Sequence, residues 1–125
     1  MECNKKSIRP AIVTEKAAES AAEQFQNEVL RPILKLQNDL LLAIVRHFLQ
    51  KRKVKFASLS KQARLDWIAH SLRHDNRMRG LLLGTVIGQF TPEEWAVFEK
   101  DEAEFRRRIT EMMTKRLQDQ VEGLL

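Results

Sequence analysis

The chain has 125 residues, 43% of them hydrophobic and 31% charged, with a net charge of +5. That length accommodates one domain with one core, and the composition excludes both a disordered polyelectrolyte and a membrane-embedded chain. Only 4 glycines and 3 prolines stand against abundant Leu, Ala, Glu, Lys, Arg and Gln, so the chain reads as all-α.

Cys3 is the single cysteine, which rules out an intramolecular disulfide or a cysteine-based zinc framework. The opening residues lack an apolar signal core. The longest apolar runs, LLLAIV and GLLLGTVIGQF, fall short of the roughly 20 residues that a bilayer span needs. A cytoplasmic location without a membrane span is expected.

Residues 1–13 have no periodicity and contain Pro10, so they read as a flexible arm, leaving 14–125 as a single helical domain. Thr14 precedes an acidic turn and is a candidate N-cap. The first helix is expected from about residue 14 to about residue 53. Its apolar stripe is Phe25, Val29, Ile33, Leu36, Leu40, Ile44 and Phe48, a spacing of three or four. Leu30, Leu34, Leu41, Val45 and Leu49 widen that face, so the stretch from Leu40 to Val45 is expected to be nearly surrounded. Pro32 lies inside the pattern. Because the apolar register passes through it without a phase slip, and Arg31 would be a poor N-cap, a kink is expected there rather than a break.

KRKVKFASLS ends this helix and leads to Ser58 and Ser60 as candidate caps for a second helix, KQARLDWIAHSLRH, with Leu65, Ile68 and Leu72 buried. Asp75 caps a third helix from about Asn76 to Gln89. FTPEEW is the cleanest local signal: Thr91 as N-cap, Pro92 at the first helical position, Glu94 completing a capping box and Phe90 stapled to Trp95. The fourth helix carries Trp95, Phe98, Phe105, Ile109, Met112, Leu117 and Val121 along one stripe, about thirty residues or roughly 45 Å. The expected fold is an antiparallel four-helix bundle with two long helices, one kinked at Pro32, and two short ones.

Gly80, Gly84 and Gly88 share one strip of the third helix, since residues four apart differ by only 40° around the axis. A strip without side chains is expected to let another backbone approach, with LLLAIV of the first helix as its neighbour; a dimer contact or a ligand cleft is the alternative.

Several polar groups are candidates for chemistry. Between Arg46 and Arg79 lie ten Lys or Arg against Asp66 and Asp75, giving one end of the molecule +8 and the remainder −3. Lys51, Arg52, Lys53, Lys55, Arg73 and Arg77 are the candidate phosphate or nucleic-acid contacts there, although no nucleic-acid motif accompanies them. The triplet Arg106 to Arg108 faces many acids and reads as ordinary helix surface. Asp39 has two readings: a solvated pair with Lys35, or a polar core group with Arg46 and His47. His70 and His74 have the i, i+4 spacing of a metal clamp but lack an HExxH context or an evident third ligand. No metal or cofactor is expected, and no motif nominates a catalytic centre.

FQNEVLRPILKLQNDLLLAIV, followed by LRHDNRMRGLLLGTVIGQFTPEEW, resembles a small uncharacterised all-helical family from Bacteroidetes-type bacteria, over roughly residues 24 to 121. Some of its members carry the label glyoxalase. The residues lend that label no support, because neither metal ligands on a β-rich module nor a His-rich metallohydrolase loop is present. The resemblance implies a bacterial cytoplasmic protein and transfers no functional residues. A homodimeric, non-enzymatic interaction or scaffold protein is the leading expectation. A nucleic-acid-binding accessory protein using residues 46–79 comes second, and a metal-binding protein or enzyme at His70 and His74 third.

Overall fold

Four side chains mark where helices begin. Ser20 accepts a hydrogen bond from the Glu23 N–H (3.0 Å), Ser60 from Ala63 (3.1 Å), Asp75 from Met78 (3.1 Å) and Thr91 from Glu94 (3.2 Å). In the computed structural model, which describes residues 3–10 and 20–125, the helices are α1 (Cys3–Ser7), α2 (Ala21–Phe25), α3 (Arg31–Leu36), α4 (Asn38–Lys51), α5 (Lys61–His74), α6 (Asn76–Ile87), α7 (Pro92–Lys100) and α8 (Glu102–Asp119). A π-turn, Gln26–Leu30, joins α2 to α3, and short 3-10 turns occupy Phe56–Ser58 and Val121–Leu124. There is no strand among the described residues.

The first long helix differs from expectation at three points. Thr14 lies outside the described residues, and Ser20 has an extended backbone (φ −141°, ψ 163°), so helical geometry restarts at Ala21. At Pro32, where a kink is expected, helical geometry continues and a π-turn lies just upstream, where the Arg31 N–H bonds to the Gln26 carbonyl. Proline offers no N–H and its ring collides with the carbonyl four residues back; a wider turn moves that carbonyl aside, and the chain continues with Pro32 buried. Gln37 (φ −93°, ψ 8°) then interrupts the helix. Beyond it Leu41, Val45, Phe48 and Leu49 face inward, while Leu40 is 48% exposed, so the stretch expected to be surrounded has an open side.

The fourth helix is likewise two. Asp101 (φ −148°, ψ 61°) separates α7 from α8. Residues 99–104 contain no large apolar side chain to hold a straight helix against the core, and the break lets Phe98 and Phe105 both turn inward, with ring centroids 6.2 Å apart. Phe25 and Phe90 complete this aromatic cluster: Phe25 lies 5.6 Å from Phe90 and 4.9 Å from Phe105, and Phe90 lies 5.7 Å from Phe98. The expected staple of Phe90 to Trp95 is therefore replaced. Phe90 meets Phe25 and Phe98, and Trp95 stacks on the outer side of Phe98. The two long helices of the sequence reading become two interrupted runs.

Helix α6 packs against α4, α5 and α8, and α5 also packs on α8. Met78, Leu82, Leu83 and Val86 supply the buried face of α6. Its start is fixed twice over, because the Asp75 carboxylate that caps it also accepts two hydrogen bonds from the Arg52 guanidinium (3.1 and 3.2 Å). The hydrogen bond from Arg52 holds the Asp75 carboxyl below its usual range; burial opposes this, and the Met78 N–H adds to it. Since the folded state depresses this pKa, the stabilisation is present above the ordinary aspartate pKa of about 3.9 and is lost as pH falls through the lower folded value. Asp75→Ala is expected to lower stability by about 1–2 kcal/mol at neutral pH, and urea unfolding should show the difference shrinking in acid.

Candidate functional site

The glycine strip faces outward. Gly80, Gly84 and Gly88 are exposed, and a Cβ built on Gly80 or Gly84 would meet nothing within 4 Å among the described residues. This corrects the expected packing of the strip on LLLAIV. Helix α6 is apolar on nearly every side, so composition gave no phase to say which face turns in, and the bulky Met78, Leu82, Leu83 and Val86 outcompete glycine for the core. At Gly88, which ends the helix, an added Cβ would come within 2.9 Å of the Gly84 carbonyl oxygen. Leu81 stands beside the strip and is 51% exposed. No charged residue occurs from Gly80 through Pro92, so the outer face of α6 from Gly80 onward carries no charged side chain of its own, the exposed Arg77 lying one turn before Leu81.

Just past α6, the N-terminal segment is docked. Within the stretch read as a flexible arm, Cys3–Ser7 is helical and Lys5 donates to the carbonyls of Gly88 (3.3 Å) and Phe90 (3.1 Å). Arg9 donates to the Gln89 carbonyl and forms a two-pronged pair with Glu94 (2.8 and 3.0 Å), both side chains being under a tenth exposed. Cations placed on the last carbonyls of a helix satisfy acceptors that have no intrahelical donor. Glu94 simultaneously accepts from the Thr91 N–H at 2.9 Å, closing the capping box. Burial pushes the Glu94 carboxyl up, but the hydrogen bonds from Arg9 and Thr91 prevail and hold it below its ordinary range. No local pattern signals this pair, whose members lie 85 residues apart.

The polar core group is not formed, since Asp39, Arg46 and His47 are all exposed. Arg46 donates to the Gly123 carbonyl at 2.9 Å, and the His47 ring stands edge-on to Phe48. The neighbouring Asn38 has the tertiary role instead. It exchanges two hydrogen bonds with Gln120 (2.8 and 2.7 Å) and accepts one from Arg116 (3.2 Å), tying α4 to the end of α8. The rings of His70 and His74 lie 4.6 Å apart on the exposed side of α5, and no group of three potential metal ligands occurs among the described residues.

At the basic end, Arg52 is bound to Asp75, while Lys51, Lys53, Lys55, Arg73 and Arg77 are exposed and take part in no ion pair among the described residues. The structure brings Arg73 and Arg79 to a cleft of about 520 Å³ whose opposite wall, from α8, supplies Arg106 and Arg107. The triplet read as plain helix surface thus contributes to a cationic site across 33 residues of sequence. A second cleft of about 520 Å³ lies between α3 and α8, over Leu34 and Met112. Its cations, Arg31, Lys115 and Arg116, are interspersed with Glu111 and Asp119. No helix among the described residues is long and apolar enough to cross a membrane. Compared with protein-family models, curated proteins and solved structures, the chain matches none.

Proposed function

We propose that this protein is a non-enzymatic helical interaction module, built as an antiparallel bundle, that associates with a second copy of itself through the outer face of α6. The observation that carries the reading is the composition of that face. A surface helix ordinarily presents charged, helix-favouring residues to water. Here two exposed glycines inside the helix, Gly80 and Gly84, each costing about 0.5–1 kcal/mol relative to alanine, stand beside an exposed leucine, and Gly88 continues the strip at the helix end.

No described residue of the same chain fills the space above Gly80 or Gly84, so intramolecular packing does not offset that cost. Two such faces crossing at Gly84 would bring backbones into close contact and cover Leu81 on both copies, the self-complementary geometry of a two-fold dimer. Sedimentation equilibrium tests this. A monomer–dimer equilibrium in the micromolar range is expected, and a monomer persisting to several hundred micromolar would contradict it.

A further inference from the structure

Of the two clefts, the one between the α5–α6 corner and α8 has the more one-sided chemistry. Four guanidinium groups line it, from Arg73, Arg79, Arg106 and Arg107, against the single carboxylate of Glu111. That carboxylate is already engaged, accepting from Arg107 at 2.7 Å. Arg107 is clamped on its other side by Glu104, which accepts at 2.7 and 3.1 Å. Arg79 is held by the Arg73 carbonyl (2.9 Å) and the Asn76 side chain (2.6 Å). Two arginines are therefore fixed in place by their neighbours. The Arg73 guanidinium, by contrast, has no partner among the described residues, and Arg106 has only an exposed, 3.8 Å contact with Glu102.

The remaining lining is Leu72 and Leu83, each at most 5% exposed, Ala103, and Thr110, whose hydroxyl already donates to the Arg106 carbonyl at 2.8 Å. Preset and free guanidinium groups around an apolar floor are suited to an anion that carries an organic body. A cleft of about 520 Å³ is also far larger than a bare phosphate requires, and lies within the usual range for small-molecule sites.

We propose that this cleft binds a small phosphate ester, the phosphoryl oxygens taken by Arg73, Arg79 and Arg106 and the organic body lying over Leu72 and Leu83. The assignment is independent of self-association, because the glycine face of α6 is opposite its buried side and contributes nothing to the cleft. Calorimetric titration of the 125-residue chain with ADP and with glucose 6-phosphate tests it, using pyrophosphate and a short single-stranded oligonucleotide as comparators.

Saturable binding of at least one ester at one site per chain is expected, with affinity reduced about tenfold or more in Arg73→Gln and again in Arg106→Gln. Both side chains are exposed, so melting temperatures should match the parent; Arg73→Lys, which keeps the charge but loses the fork, should still weaken binding. Absence of saturable binding by either ester, or affinity unchanged in both glutamine variants, would overturn the proposal. So would pyrophosphate binding as tightly as the esters, since the apolar floor would then have no role. Tighter binding of the oligonucleotide, weakened equally by Lys51→Gln and Lys55→Gln, would assign the charge to a diffuse nucleic-acid surface instead.

Discussion

Glu94→Ala is expected to cost the fold about 3–5 kcal/mol, the loss typical when one member of a buried ion pair is removed. Two effects combine in that figure. The Arg9 guanidinium would remain under a tenth exposed without its carboxylate, and its Nε already lacks a partner among the described residues. Helix α7 would also lose one half of its capping box, a change worth about 1 kcal/mol by itself. Arg9→Met combined with Glu94→Ala should cost less than the sum of the two single changes, because no unpaired charge is then left inside.

The same pair predicts acid sensitivity. The folded state holds the Glu94 carboxyl below its ordinary value, so its stabilisation is complete above the unfolded glutamate pKa of about 4.3 and is lost as pH falls through the lower folded one. Urea unfolding of parent and variants at neutral and acidic pH measures both effects. A loss below about 1 kcal/mol at neutral pH would mean that residues 5–10 do not hold the end of α6.

The second large effect is expected at Gly84. Introducing arginine there should weaken self-association by a hundredfold or more, about 2.7 kcal/mol, by placing a long charged side chain where two helices meet. The monomer should tolerate it, because a Cβ at Gly84 meets nothing within 4 Å among the described residues. Gly84→Ala separates the two roles further. In the monomer it should raise stability by about 0.5–1 kcal/mol through helix propensity, which thermal melts at dilute concentration would show. In the dimer it intrudes only one methyl group, so association should fall less than with arginine. If the arginine variant lost helicity, or if alanine destabilised the monomer, the strip would be packed rather than open.

Much of the local structure is legible in the sequence because its causes are local. Ser60, Asp75 and the Thr91–Glu94 box act within four residues of themselves, and each caps the helix anticipated for it. Pro32 announces a distortion because it always removes a donor, and the register on both sides requires the chain to continue. What the sequence leaves ambiguous is orientation and partnership at a distance. Helix α6 is apolar almost all round, so glycine could have been read as inner or outer face, and the outer one is observed.

KLQND presents Asn38 and Asp39 side by side, and only the position of Gln120, 82 residues away, makes the amide the tertiary contact. Likewise Arg106 and Arg107 look neutralised by their own helix until α5 and α6 bring Arg73 and Arg79 opposite them. The breaks at Gln37 and Asp101 are hard to foresee because neither is a glycine or proline, and both depend on where the surrounding core needs its side chains.

The proposed dimer rests on the outer side of α6 being the contact with a second copy of the chain. Interchain disulfide formation by Gly84→Cys, in a Cys3→Ser background, tests it most directly, since a two-fold crossing of the strips places residue 84 beside its own counterpart within the reach of a disulfide. Rapid, near-complete covalent dimer is predicted on mild oxidation, with little from Ala43→Cys, an exposed control on α4. Equal, slow cross-linking at both positions would contradict the account.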